Sequence, residues 1–199
     1  MSKMRISVLA SGGGTDFQSV IDAVESGYLE DSEIVQLIAG KDGIGAAERA
    51  EKHGIKVKAI TKANYPDMNE RMNAVAAALA EEDTDLVVLA GYLSIVAPQV
   101  IKKYDHRIIN IHPALLPKHG GKDCYGMNVH RMVLEAGDTE SGATVHYVNE
   151  GIDSGNIILQ SHVPVLEGDT PEDLAARVLE TEHIILPAAI RMIEKAREK

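Results

Sequence analysis

"MRISVLASGGGTDFQSVIDAVESG", residues 4–27, puts three local instructions into one run. Met4 to Ala10 is an apolar stretch that reads as a buried strand. Ser11-Gly12-Gly13-Gly14-Thr15 is a glycine turn, and Phe17, Val20, Ile21 and Val24 then recur at helical spacing before Gly27. Strand, glycine turn and helix in this order open a βαβ unit. The alternation continues with EIVQLIAG (33–40) and IGAAERAEKHG (44–54), then IKVKAI (55–60) and PDMNERMNAVAAALAEED (66–83), where Pro66 suits a first helical position. DLVVLAG (85–91) and RIINIH (107–112) add two strands around a short helical piece, PQVIKKY (98–104). This pattern predicts a doubly wound α/β fold with a mostly parallel, Rossmann-like sheet covered on both faces.

Beyond His112 the pattern changes. A loop to about Cys124 precedes a helix over 125–137, and GATVHYVN (142–149) and NIILQSHVPV (156–165) are close enough to pair antiparallel, as a β-hairpin extension of the sheet. Residues 170–199 read as helix, with Thr170 as cap, Glu172 and Asp173 in the first turn, and Pro187 expected to kink it or break it in two. No repeat, linker or low-complexity tract divides the 199 residues, which suit one domain that buries about 70% of its unfolded surface.

Hydrophobic residues at 45% and charged residues at 25% are ordinary for a soluble protein. The first residues fit neither a signal peptide nor a spanning helix, and the expected compartment is the cytoplasm, without membrane contact. The single Cys124 excludes an internal disulfide framework and a clustered thiolate zinc site. His106, His112 and His119 match neither a helical face nor a finger pattern, so no metal is expected. A net charge of -10 argues against non-specific nucleic-acid binding, which rests on Lys and Arg neutralising phosphates. Locally the balance reverses: Lys102, Lys103, Arg107, Lys118, Lys122 and Arg131 face only Asp105 and Asp123 within 102–131. Such a region attracts a small anion or is a solvated loop; charge alone does not choose.

Three features invite chemistry. The SGGGT turn would bring backbone N–H groups and a helix N-terminus to an anion, although it is not a P-loop and equally suits an empty tight turn. Asp16 opposes a phosphate there, since a carboxylate about 4 Å away costs on the order of 4 kcal/mol per unit-charge pair at an effective dielectric of about 20. Either Asp16 caps the helix with its side chain turned away, or no phosphate binds. Asn110 and His112, two apart on a strand, share a face at its carboxyl end, where α/β sheets place ligands. Their N–H groups would stabilise an oxyanion, or else they satisfy backbone locally. Asp153, in GIDSGN, is a turn residue that gains a role only if the fold brings it beside His112. Cys124 lies in no nucleophile signature, and no Gly-x-Ser-x-Gly elbow occurs, which disfavours covalent acyl catalysis.

The order SGGGT, VVLAGYLSIV, NIHPALLPK and GATVHYVNEGIDSGNIILQ, over residues 4–193, resembles the phosphoribosylglycinamide formyltransferases among the folate-dependent formyltransferases. The resemblance implies formyl transfer from 10-formyltetrahydrofolate to the amine of glycinamide ribonucleotide, in purine synthesis. It implies catalytic roles for Asn110, His112 and Asp153, with Thr144 and His146 supporting them, and nucleotide contacts at Gly13, Gly14, Thr15 and Glu182. The folate is expected along Tyr92, Leu93, Ser94, Ile95 and Val96 and along Val148, Asn149, Glu150, Gly151 and Ile152. Residues 1–100 then form a nucleotide-binding half and 101–199 a folate-binding and catalytic half of one domain, acting as monomer or homodimer on small molecules. Rivals that share the trio are a formyltetrahydrofolate hydrolase and a formyltransferase for another amine; a folate or nucleotide sensor is the non-catalytic alternative. Asp16 stands where the family commonly has Asn, Ser94 where Arg is frequent, and Met68 in a helix start that often supplies Arg. Lys118 and Lys122 are candidates to compensate at the phosphate. The Gly120-Gly121 pair suits a loop that moves during binding.

Overall fold

The computed structural model describes residues 2–197. Its elements run β1 (Met4–Ala10), α1 (Thr15–Glu25), β2 (Ser32–Ala39), α2 (Gly45–Lys52), β3 (Val57–Ala59), α3 (Met68–Glu81), β4 (Leu86–Leu89), α4 (Pro98–Lys103), β5 (Ile108–His112), α5 (Met127–Glu135), β6 (Glu140–Tyr147), β7 (Ile157–Pro164) and α6 (Pro171–Ala196). The strands form one seven-stranded sheet in the order β3-β2-β1-β4-β5-β6-β7. Pairing is parallel from β3 to β5, and antiparallel at β5–β6 and β6–β7. This is the expected doubly wound, mostly parallel sheet with a hairpin added. The chain order reverses direction at β1 and β4, so the switch point lies above their carboxyl ends, where ligands of open α/β sheets bind.

Alternation along the strands builds two cores. Ile6, Val8 and Ala10 of β1 pack with Phe17, Val20 and Ile21 of α1 and Val178, Ile185 and Ile190 of α6. Leu9, Val87 and Leu89 point to the other face and meet Met72, Val75 and Leu79 of α3 and Val100 and Ile101 of α4. Burying one such side chain contributes about 1.5–3 kcal/mol, and these layers hold the strand ends in fixed register.

Gly14 is the N-cap of α1, with φ 75°, and a Cβ on it would lie 2.6 Å from the Ala46 Cα. Both the left-handed backbone and the close approach of α2 therefore require glycine. Asp16 does not cap α1: the helix has no side-chain cap, and the carboxylate lies elsewhere. Thr170 does cap α6, in a capping box with Asp173.

Two helix expectations are corrected. Pro66 is not a first helical residue, because Asp67 is the N-cap, its carboxylate accepting from the Glu70 N–H at 2.9 Å, and α3 starts at Met68, two residues later. Pro187 does not break α6, which is continuous from Pro171 to Ala196. Pro187 is buried between Leu186 and Ala189, and packing of this face against α1 and the sheet offsets the roughly 3 kcal/mol that a helix-interior proline costs. The expected helical residues 198–199 lie outside those described.

Candidate active site

The carboxyl end of β5 is held by its antiparallel neighbour. Asn110 pairs with His146, and His112 with Thr144, while Thr144 pairs onward with Gln160 of β7. His146 Nδ1–H donates to the Tyr147 carbonyl at 2.9 Å, so its Nε2 accepts from the Asn110 amide at 3.1 Å. One N–H of Asn110 is thereby committed and the amide plane is fixed. Thr144 Oγ1 donates to the Ala114 carbonyl at 2.6 Å, and accepts from Leu116 N–H at 3.2 Å and from Gln160 Nε2 at 2.8 Å. The start of the 113–124 loop is thus fastened to the hairpin beneath it.

The turn after β6 folds back to bring Asp153, at φ 51°, against this face. Asp153 Oδ2 lies 3.6 Å from His112 Nδ1 and accepts from Gly121 N–H at 3.0 Å, and Oδ1 lies 3.6 Å from His146 Nε2. Gly120 lets the loop press down, since a Cβ there would come within 2.4 Å of Leu116 Cδ2. Burial pushes the Asp153 carboxyl up, but the His146 ring, the Gly121 N–H and the His112 ring together hold it below the ordinary carboxylate range. Burial pushes His112 down, and the Asp153 charge and the His119 carbonyl recover only part of this. The net effect favours the neutral ring in the free protein. Its Nε2–H donates to the His119 carbonyl at 2.9 Å, which leaves the Nδ1 lone pair facing Asp153. Two acceptors so opposed are satisfied by a proton or an N–H placed between them.

The SGGGT turn lies at the neighbouring switch point. Ser11 N–H donates to the Gly91 carbonyl at 3.1 Å, and Ser11 Oγ accepts from Leu93 N–H at 3.2 Å. A Cβ on Gly40 would meet both Ser11 Oγ, at 2.6 Å, and the Tyr92 ring, at 2.8 Å, so the turn and the 92–96 segment pack on one another. In that segment Val96 is buried and Leu93 and Ile95 are exposed, as is Ile152 in the turn after β6. Tyr92 and Val148 pack on the same core. Asn149, Glu150 and Gly151 are exposed, and the Asn149 carbonyl oxygen accepts from Gly151 N–H and Ser154 Oγ.

At the first turn of α1, Asp16 Oδ1 is buried without a hydrogen-bond partner, 3.8 Å from His183 Nε2, itself buried and unpartnered. Glu182 is 7% exposed and makes no hydrogen bond or ion pair with a described residue. Burial raises Asp16 to about 6. Burial first, and the Asp16 charge second, raise Glu182 well above the ordinary range. Lys118 pairs at 2.7 Å with Asp138, which also takes His119 Nε2 at 2.6 Å.

Gln160, Asp138 and His183 are not singled out by the sequence, and His119 and Gly121 are singled out there for other reasons than the contacts they make. Gln160 had a usable signal, since it sits opposite Thr144 once the hairpin is registered; the His119 and Gly121 contacts run through backbone atoms, which any residue type supplies. Among the described residues no group of three or more His, Cys, Asp and Glu is arranged to hold a metal ion, and no helix is long and apolar enough to cross a membrane.

The model of the family described as formyl transferase matches residues 4–190. The chain is 39% identical over 198 residues to the chloroplastic phosphoribosylglycinamide formyltransferase of Arabidopsis thaliana, covering 99% of this chain and 68% of that protein. It is 38% identical over 192 residues to the trifunctional purine biosynthetic protein adenosine-3 of Gallus gallus, covering 96% of this chain but only 18% of that one. Among solved structures it is similar to glycinamide ribonucleotide transformylase 1 from Symbiobacterium toebii, with a TM-score of 0.92 and 39% identity over 98% of this chain and 89% of that chain. With a match this long, carried on the strand and turn that assemble the site, the chain belongs to the formyl transferase family.

Proposed function

We propose that this chain transfers the formyl group of 10-formyltetrahydrofolate to the primary amine of glycinamide ribonucleotide. One observation carries the reading: Asn110, His146, Asp153 and His112 are linked by contacts of 3.1 and 3.6 Å at the carboxyl end of β5, next to the SGGGT turn. The nucleotide lies along Gly13, Gly14, Thr15 and Glu182, mainly in residues 1–100. The folate lies along Tyr92–Val96 and Val148–Ile152, where exposed Leu93, Ile95 and Ile152 offer apolar contact to a flat ring system. Residues 101–199 supply the catalytic groups. Both substrates are small molecules of the cytoplasm, and the chain acts as monomer or homodimer.

The neutral amine attacks the formyl carbon, forming a C–N bond and turning the carbonyl oxygen into an oxyanion. The Asn110 N–H not committed to His146 donates to that oxygen, a contribution worth roughly 3–4 kcal/mol of barrier in comparable sites. The attacking nitrogen loses its proton into the gap between His112 Nδ1 and Asp153, where the imidazolium formed is held by the carboxylate. The bond to the folate nitrogen then breaks, and that nitrogen takes up the proton. Atoms and charge balance without a covalent enzyme intermediate, and holding both substrates together supplies much of the acceleration.

The test is acceptor choice. With 10-formyltetrahydrofolate in excess, glycinamide ribonucleotide is expected to release tetrahydrofolate and appear as its N-formyl product. Release at the same rate with water alone identifies a hydrolase and overturns the reading; transfer only to charged tRNA or an amino sugar overturns the choice of acceptor.

A further inference from the structure

From Pro113 to Cys124 the chain forms neither helix nor strand, yet two of its backbone groups reach the side chains to which the proposed function gives the chemistry. The His119 carbonyl accepts from His112 Nε2–H at 2.9 Å, and Gly121 N–H donates to Asp153 Oδ2 at 3.0 Å. The first of these contacts decides the position of a proton. A carbonyl only accepts, so it places the proton of the neutral His112 ring on Nε2 and leaves a lone pair on Nδ1. Asp153 pulls the other way, because a carboxylate 3.6 Å from Nδ1 favours a proton on that nitrogen. With the His119 carbonyl displaced, the neutral ring carries its proton on Nδ1, directed at Asp153, and offers no lone pair there to the proton of an attacking amine.

Local preference does not hold that carbonyl in place. His119 has φ 51°, a left-handed backbone that a residue with a Cβ seldom adopts, and Gly120 and Gly121 follow it. The side chain of His119 is held instead by Asp138, whose Oδ2 accepts from its Nε2–H at 2.6 Å while Oδ1 pairs with Lys118 Nζ at 2.7 Å. His119 and Lys118 keep the Asp138 carboxyl below the ordinary carboxylate range, so it is ionised and only accepts. Asp138 in turn stands on a fixed post just beyond α5. Gly137 N–H donates to the Leu134 carbonyl at 3.1 Å, Asp138 N–H donates to the Val133 carbonyl at 3.3 Å, and Val133 is buried in the core. We propose that Asp138 is a positioning residue, which through the His119 side chain fixes the loop carbonyl that keeps the His112 proton on Nε2 and its Nδ1 lone pair open toward Asp153. This rests on the proposed function, which takes His112 Nδ1 as the acceptor of the amine's proton.

The experiment measures kcat and both KM values for wild type, Asp138→Ala, Asp138→Asn and His119→Ala. In the ligand-free proteins near pH 8 the His112 tautomer is read from its ring nitrogen chemical shifts, with the signals identified by their loss in His112→Asn. Asp138→Ala is expected to lower kcat by roughly 10- to 100-fold with both KM values within about threefold, as a small misplacement of a reacting group does, and to move the His112 proton to Nδ1. Asp138→Asn keeps an acceptor for His119 Nε2–H, and should retain the wild-type tautomer and most of kcat. His119→Ala leaves Asp138 in place but removes the link, and should reproduce both losses; if Asp138→Ala does not fold, this variant decides alone. Wild-type kcat with the proton still on Nε2 in His119→Ala overturns the proposal, and so does a fall in kcat with the tautomer unchanged. If wild type itself transfers no formyl group to the nucleotide, the proposed function falls, while the tautomers of wild type and His119→Ala still decide whether this link sets the His112 proton.

Discussion

The carboxyl end of β5 and the first turn of α1 are built on opposite terms. At the carboxyl end of β5 the side chains are fixed by hydrogen bonds: His146 orients Asn110, the His119 carbonyl orients His112, and the Gly121 N–H holds Asp153 between the two imidazoles. At the first turn of α1, Asp16 Oδ1 and His183 Nε2 are buried without a hydrogen bond, 3.8 Å apart, and Glu182 makes no hydrogen bond or ion pair with a described residue. A group that must meet a transition state benefits from being fixed beforehand, because reorganisation at the moment of reaction costs rate. A group that must meet a ground-state ligand can stay unsatisfied in the free protein, at a cost in stability. Chemistry is pre-organised; binding is held in reserve.

This contrast breaks most sharply at Asn110. Asn110→Ala is expected to lower kcat by about 100- to 1,000-fold with KM within a few-fold, as loss of one oxyanion donor does. Steady-state kinetics with saturating folate checks it, and a change confined to KM would move Asn110 from the chemical step to binding.

Stability reports the other end with the opposite sign. Asp16 is raised in the folded state from 3.8 to about 6, so the stability tied to its protonation is fully present below 3.8 and lost as pH rises through 6. A shift of this size is worth on the order of 3 kcal/mol. Asp16→Asn is therefore expected to raise the Tm of the ligand-free protein by several degrees above pH 6 and to leave it unchanged below pH 4. Asp153, held below its ordinary value, contributes stability present above that value and lost as pH falls through the depressed one. Thermal melts of wild type, Asp16→Asn and Asp153→Asn across pH 3–8 should show the two slopes; parallel slopes would erase the distinction between the ends.

Smaller effects locate the boundary between them. Thr144→Val leaves the buried Leu116 N–H and one Gln160 N–H without an acceptor, and is expected to cost about 1–3 kcal/mol. Loss of kcat beyond what unfolding explains would show that the loop start also positions His112. Lys118→Ala removes an exposed ion pair with Asp138, and is expected to cost at most about 1 kcal/mol with the KM for the nucleotide unchanged. A raised KM would return Lys118 to the phosphate.

The difference between the ends also explains what could be read without coordinates. Strand, glycine turn and helix over residues 4–27 were legible because burial on a sheet and on a helix impose different periods on the same alphabet. The shared face of Asn110 and His112 followed from the same rule. Asp153 was not placeable by spacing, since its approach to His112 depends on how the turn after β6 folds back. Of the kink or break expected at Pro187, the break does not occur because tertiary packing overrides a local preference, and Pro66 is displaced by the cap at Asp67. Asp16 could be flagged from sequence as a conflict with phosphate, but its neighbours Glu182 and His183 come from the far end of the chain.

The most direct measurement of the central claim is single-turnover formyl transfer with both substrates pre-bound, in wild type and Asp153→Asn. With the carboxylate that holds the imidazolium removed and binding contacts left in place, the rate constant should fall by at least 100-fold while the dissociation constants of both substrates stay within about threefold, because general acid–base catalysis of this kind contributes 100- to 10,000-fold. An unchanged rate constant in Asp153→Asn would contradict the assignment of proton transfer to the gap between Asp153 and His112.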